Sequence, residues 1–266
     1  MKKSALLFLT CALLIVSCGK ESSDEGDQNP FTPDTPSTRT FTVNGVSFKM
    51  ILVEGGTFTM GATSEQGSDA FDREKPTHSV TLSSFYIGDT EVTQELWQAV
   101  IGRNPSEFSG SRKPVEQVSW NDCQDFITRL NSLTGSSFRL PTEAEWEFAA
   151  RGGNNSRNYK YAGSNSIGDV ACYWDNSNEM THNVAQKSPN ELGLYDMSGN
   201  VWELCQDWYS SYRSSSQTNP TGPSSGIGRV RRGGSWIDDA RDCRVSFRVS
   251  ERPDDNERYI GLRLAL

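Results

Sequence analysis

The sequence predicts one α+β domain with little regular secondary structure, and three observations carry that expectation. Strand and hairpin patterns crowd the start of the domain, and three short segments with helical spacing and recognisable caps follow. From Gly153 onward almost nothing is periodic: Asn, Ser, Gly, Asp and isolated aromatics dominate up to Ser215 and beyond. Such a stretch in a compact domain has to be held by side-chain hydrogen bonds, metal ions or aromatic packing, and the seven tryptophans suit that demand.

The domain opens with FTVNGVSFKMILVEGGTFTMG, Phe41 to Gly61. Asn44-Gly45 between alternating apolar residues signals a hairpin, and Gly55, Gly56 and Gly61 mark tight turns or bulges. HSVTLSSFYIG, His78 to Gly88, reads as one further strand. Thr93 can cap a short helix carrying Leu96, Trp97 and Val100. Ser119 or Asn121 can start the next, with Cys123, Phe126, Ile127 and Leu130 on one face and Gly135 as its stop. In LPTEAEWEFAARGG, Thr142 and Glu145 form a Thr-x-x-Glu capping box, Trp146, Ala149 and Ala150 face inward, and Gly152-Gly153 ends the helix. Glu143, Glu145 and Glu147 read as capping and solvated acids rather than a catalytic carboxylate pair.

The N-terminus reads as an address. Lys2 and Lys3 precede an apolar run, Ala5 to Val16, too short to span a bilayer comfortably. Residues 1–17 therefore form a secretory signal, and Cys18 after Ile-Val-Ser resembles the acylated first residue of a bacterial lipoprotein. Residues 18–40, rich in Ser, Thr, Pro, Asp and Gly, have too little apolar surface to fold and form a tether, leaving 41–266 as one domain. The acidic start of the tether resembles export tags of surface lipoproteins, so the expected location is the cell envelope, lipid-anchored at the outer membrane, with either face open.

Charge and residue counts exclude several functions. Removing residues 1–17 takes two lysines and no acid, leaving 24 basic residues against 34 acidic, a net of −10. That balance argues against nucleic acid and against charge-driven binding to an anionic membrane. His78 and His182 are the only histidines, which excludes a multi-histidine metal site, and no GxSxG accompanies either for a serine hydrolase. Cys123, Cys172, Cys205 and Cys243 could pair in an exported protein in three ways, and the spacing selects none.

Six ordered blocks resemble a known family: VEGGTFTMG, EVTQELWQAV, PVEQVSWNDCQDFI, FRLPTEAEWEFAARGG, NELGLYDMSGNVWELCQDWY and RVRRGGSW, closing on GLRLAL. They are similar to the successive blocks of the sulfatase-modifying-factor, or formylglycine-generating-enzyme, family and cover nearly everything from Phe48 to Leu266. The resemblance implies that family's irregular α+β fold, similar to the C-type-lectin architecture. It also implies a structural calcium ion at GLYDMSGNVWE, held by Asp196, the carbonyls of Gly199 and Val201, and Glu203. A second calcium site is expected near Asp175-Asn176.

The resemblance reaches its sharpest point in RGGSWIDDARDC, Arg232 to Cys243. Catalytic members carry two cysteines five residues apart after the RGGS-aromatic turn, a soft pair suited to copper(I). Here the second position is Cys243 and the first is Asp238, a hard carboxylate, so copper is not expected. Trp202 and Ser235 match pocket residues of the family, and Asp239 and Asp242 add charge that opposes a thiolate at Cys243. Cys243 then reads as a buried small residue or a disulfide partner.

The function expected is recognition of a protein or small-molecule ligand at the envelope, without catalysis. Its surface would include Trp202, Ser235, Trp236, Asp238, Asp239, Asp242, Arg244, Phe247 and Tyr259, since Trp, Tyr and Arg are common anchors. Lectin-like domains with similar tails are targets of diversity-generating retroelements, which vary adenine-rich codons; Ile, Asp, Phe, Val, Ser and Tyr are all reachable from an asparagine codon. The alternative is an oxidase acting on protein cysteine, formylglycine-generating or a divergent metal-dependent relative.

Overall fold

The computed structural model describes residues 37–266; the expected signal segment, Cys18 and the tether up to residue 36 lie outside the described residues. Strand β1 (Thr38–Val43) turns through Asn44 and Gly45, both left-handed at φ 47° and 84°, into β2 (Val46–Val53). This is the twist-matched two-residue hairpin that the Asn-Gly pair signals. Pairing begins at Thr38 opposite Ile51, so the folded chain starts inside the stretch expected to be tether. Thr38, Arg39 and Thr40 are exposed on the strand, and with no apolar residue among them the sequence carries no trace of it.

Strand β5 (Phe85–Gly88) pairs with the other edge of β2, giving a sheet of order β1-β2-β5. A second sheet holds β3 (Gly56–Met60), β4 (His78–Leu82) and the short β7 (Gln217–Thr218) in the order β3-β4-β7. The segment expected as one strand, His78 to Gly88, is therefore two strands in two sheets. The break falls at Ser83-Ser84, where Asn219 Oδ1 accepts the Ser83 amide at 2.8 Å and Ser84 Oγ accepts the Gly55 amide at 2.9 Å. The third sheet has the order β10-β6-β8-β9, from β6 (Trp202–Trp208), β8 (Arg229–Arg232), β9 (Arg248–Glu251) and β10 (Ile260–Gly261).

The three expected helices form where their caps place them. In α1 (Gln94–Ile101), Thr93 Oγ1 accepts the Leu96 amide at 3.3 Å and Gly102 ends the helix at φ 89°. Ser119 and Asp122 close a capping box on α2 (Trp120–Thr134), and Thr142 and Glu145 close one on α3 (Glu143–Ala150). Each cap satisfies an otherwise orphaned amide and contributes on the order of 1 kcal/mol. A single further turn, α4 (Ile167–Val170), lies in the aperiodic stretch.

Helix α3 corrects the reading of its acids. It is buried along its whole length, packed against β3 and β4 and against β6 and β8, and Glu143, Glu145 and Glu147 are 4%, 9% and 0% exposed. They are partners of arginines, not solvated groups. Arg248 grips Glu143 through Nε and Nη2 at 2.6 and 2.7 Å, Arg139 grips Glu145, and Arg232 and Arg151 share Glu147. Arg244 on Glu74 and Arg263 on Glu203, both at 2.7 Å, are further fully buried pairs; among these arginines Arg139 keeps an exposed flank. Such pairs stabilise little relative to apolar packing, but losing one partner strands a buried charge. They fix which remote segments meet.

The aperiodic stretch is held largely by asparagine side chains. Asn190 donates to the Ala149 carbonyl at 2.7 Å and accepts from the amides of Leu192 and Leu194. Asn200 donates to Glu91 at 2.9 Å and accepts the His182 amide at 3.0 Å.

Candidate functional site

The RGGSW turn forms because its glycines adopt conformations that side chains disfavour. Gly233 and Gly234 have φ 96° and 71°, and a Cβ on Gly234 would lie 2.7 Å from Cys243 Sγ and 2.9 Å from the Asp242 carbonyl oxygen. The turn thus presses Ser235 and the following residues against the Ala240–Cys243 3-10 turn. Ser235 and Trp202 both donate to one oxygen of Asp238, the indole at 2.8 Å and the hydroxyl through a short bond. The Asp238 carbonyl accepts the Trp174 amide at 3.1 Å. Burial raises the Asp238 carboxyl, while the Ser235 hydroxyl, Arg231 and Trp202 hold it down.

Cys243 is fully enclosed, packed with Tyr161 and Val170. Burial pushes its thiol well above the ordinary range, and the charges of Asp238 and Asp242 push further. Asp239, which the sequence also implicates, is exposed and does not contribute among the main causes. The next thiol in electrostatic reach is Cys172, itself buried and pushed up to about 12. Cys123, Cys172, Cys205 and Cys243 are all free thiols. One enclosed, protonated sulfur and one hard carboxylate already accepting two hydrogen bonds do not fit copper(I).

Of the residues predicted to form a surface, the structure brings together Trp202, Ser235 and Asp238, with Phe247 5.8 Å from the Trp202 ring and Arg231 over the rings of Trp202 and Tyr259. Asp239 is exposed, and Asp242 and Tyr259 are half-buried. Five of them are interior instead: Trp202, Ser235 and Phe247 are 2%, 0% and 4% exposed, and Trp236 and Arg244 are enclosed as well. Trp236 is 2% exposed, donates to the Arg258 carbonyl and meets Phe108 edge-on; Arg244 is enclosed by Glu74, Gln66 and Ser246. Neither is free to anchor a ligand. Sequence reasoning missed Trp174, 53% exposed and tied by its amide to Asp238, and Met180, 41% exposed. An aromatic in an aperiodic loop gives no signal of its own exposure.

The GLYDMSGNVWE turn supplies part of what a calcium ion needs. Asp196 has φ 57°, is 5% exposed and accepts the Ala185 amide on Oδ2 at 2.7 Å; burial pushes its carboxyl up to about 6. Glu91, buried beside Asp196 and Glu203, is raised well above the usual carboxylate range, first by burial and then by those two charges. Glu203 is the exception to the expected set. Arg263 reaches both of its oxygens, and Trp146 Nε1 donates to Oε2 at 2.6 Å, so its lone pairs are taken. Asn176, near the second expected site, spends its side chain on the Tyr173 amide and the Ala171 carbonyl.

This arrangement of short helices, split sheets and a glycine-shaped C-terminal turn has counterparts. Residues 38–266 match the family described as sulfatase-modifying factor enzyme 1-like domain, and the chain belongs to that family. It is 33% identical to the chaperone protein LppX of Paenibacillus barcinonensis over 76% of this chain and 83% of that protein. It is 31% identical to the formylglycine-generating enzyme of Streptomyces coelicolor over 81% of this chain and 88% of the enzyme. Among solved structures, Treponema denticola variable protein 1 superposes with a TM-score of 0.79 at 35% identity, covering 87% of this chain and 99% of that one. PvdO from Pseudomonas aeruginosa superposes with a TM-score of 0.71 at 26% identity, covering 82% and 93%.

Proposed function

We propose that the chain is a recognition protein of the bacterial cell envelope, anchored at the outer membrane through acylated Cys18, that binds a protein or small-molecule ligand without chemistry. The observation that carries this reading is Asp238, which stands where the family's resemblance places a first thiolate and is locked there by Trp202 and Ser235. The contact surface is the accessible ground around that knot: the exposed Asp239 and Trp174 and the half-buried Asp242 and Tyr259. A lipidated fraction in cells, lost on Cys18→Ala, tests the anchor; an unlipidated, soluble wild-type chain contradicts it.

The Treponema relative is called a variable protein. In keeping with that, the tail from Trp236 to Tyr259 is proposed as a target of a diversity-generating retroelement. A reverse transcriptase and a near-repeat template beside the gene support this; their absence removes it.

Calcium at the Asp196 turn belongs to the same proposal. Three buried carboxylates, Glu91, Asp196 and Glu203, face a single guanidinium, Arg263, and a cation would answer the excess. Asp196 and the carbonyls of Gly199 and Val201 would hold it, with Glu203 kept by Arg263. A thermal midpoint that falls with chelator and recovers with calcium supports the site; an unchanged midpoint contradicts it.

A further inference from the structure

A cavity of about 770 Å³ opens between β3 and β4, the start of α3 and the segment 207–223, away from the residues around Cys243. It is large enough for a small ligand. Its inner polar wall is made by Glu143, Asp207, Arg248, His78 and Tyr212, and its apolar wall includes Met60, Ala144, Trp208 and Pro220.

Most of these polar groups are already satisfied. Arg248 donates to Glu143 and to the carbonyls of Arg73 and Ser210, and Tyr212 donates to Glu143 at 2.9 Å. Two are not. Asp207 is 5% exposed; its Oδ2 accepts the Glu143 amide at 2.9 Å, which serves the start of α3, but Oδ1 receives no hydrogen bond. Gly222, left-handed at φ 72°, backs onto that oxygen, and a Cβ there would lie 3.2 Å from it. His78 is 4% exposed, and its Nδ1 lies 3.3 Å from the Pro76 carbonyl. A carbonyl only accepts, so Nδ1 carries the proton and Nε2 is an acceptor with no donor.

Among the buried side chains that line the cavity the free valences are therefore acceptors, while Ser211, Arg213, Ser215 and Thr221 stand on its exposed rim; helix capping accounts for only one oxygen of Asp207. An anion would meet Glu143 and Asp207 with no enclosed donor left to receive it. We propose that this cavity binds a cationic nitrogen group, a protonated amine or a guanidinium, with Asp207 as its counter-charge and His78 Nε2 as a second acceptor. Met60, Ala144 and Pro220 take the carbon stem.

Asp207 is pushed up to about 7, first by burial and then by Glu143. The charged and titratable groups facing it are Glu143 and Glu145 of α3, Arg248 of β9, Arg229 of β8 and Cys205 of β6, with His78, Tyr212 and Arg213 around the cavity. The ionised fraction of a group titrating near 7 rises about tenfold from pH 6 to pH 8, and affinity for a cation rises with it.

Calorimetric titration of the whole chain with n-butylammonium and benzamidinium tests the site. Binding that strengthens about tenfold from pH 6 to 8 and weakens at least tenfold in Asp207→Asn supports the proposal. No binding to the wild type at millimolar probe, equal binding to the variant, or binding of glycerol in preference to both cations overturns it. If Asp207→Asn does not fold, the wild-type pH profile decides: a flat profile overturns the proposal. Capped lysine and arginine amides then separate the sources, since tighter binding than the free probes assigns the group to a polypeptide side chain and equal binding to a small molecule.

Discussion

Trp202 and Ser235 donate to the same oxygen of Asp238. That relationship puts a carboxylate with one oxygen doubly hydrogen-bonded five residues before Cys243. Cys243 stays a thiol first because the sulfur is enclosed, and then because the negative charges of Asp238 and Asp242 oppose its ionisation.

Asp238→Ala leaves the indole N–H of Trp202, a residue 2% exposed, without an acceptor. The expected loss is about 2 kcal/mol, which for a domain of this size lowers the thermal midpoint by roughly 4–8 °C. Differential scanning calorimetry reads it, and a midpoint unchanged within 1–2 °C, roughly a few tenths of a kcal/mol, contradicts the bond's role.

Cys243 should be inert in the native state. Iodoacetamide at pH 8 followed by intact-mass analysis is expected to leave Cys243 unmodified until the chain is denatured, after which Cys123, Cys172 and Cys205 react alongside it. Rapid native alkylation of Cys243 contradicts the enclosed site.

Gly234→Ala tests the turn that carries the segment. A methyl group 2.7 Å from Cys243 Sγ, on a residue at φ 71°, combines a steric clash with a left-handed backbone. The expected destabilisation is about 2–4 kcal/mol by urea unfolding. Gly45→Ala, with open space around it, is expected to lose only the backbone component.

Removing one member of a buried pair is more damaging. Glu203→Ala strands Arg263, which is fully enclosed, and about 3–5 kcal/mol of stability is expected to go. Urea unfolding of the purified variant, or failure to accumulate it folded, checks this.

Asp207 gives stability a pH dependence of known sign. Its folded pKa, about 7, lies above the unfolded value, so the folded state holds a proton the unfolded state has released, and stability falls as pH rises towards 7. Three units correspond to about 4 kcal/mol at most. Asp207→Asn keeps an acceptor for the Glu143 amide and removes the charge, so its stability relative to wild type is expected to rise by about 2–3 kcal/mol between pH 5 and 8. A constant difference contradicts the assignment.

What was legible in the sequence follows the range of the forces. Thr93, Ser119 and Thr142 cap helices through bonds to residues three positions on, and Asn44-Gly45 sets its own turn, so each carries its signal locally. Arg244 finds Glu74 across 170 positions, and no local pattern announces such a pair. For the same reason Glu143 and Glu147 read as surface acids when they are the anions of a charged core. The sequence points to Trp202, Ser235 and Asp238 but not to the burial of the first two, and Trp236 and Arg244 are interior because Arg258, Phe108 and Glu74 reach them from remote parts of the chain.

The Asp238–Cys243 segment is expected to perform no copper chemistry. The most direct measurement supplies the purified chain with copper(I), oxygen and a sulfatase-type cysteine peptide, and follows both bound metal and aldehyde. Less than one copper per chain and no aldehyde above the protein-free control are expected. Stoichiometric copper with turnover of the peptide to formylglycine would contradict it.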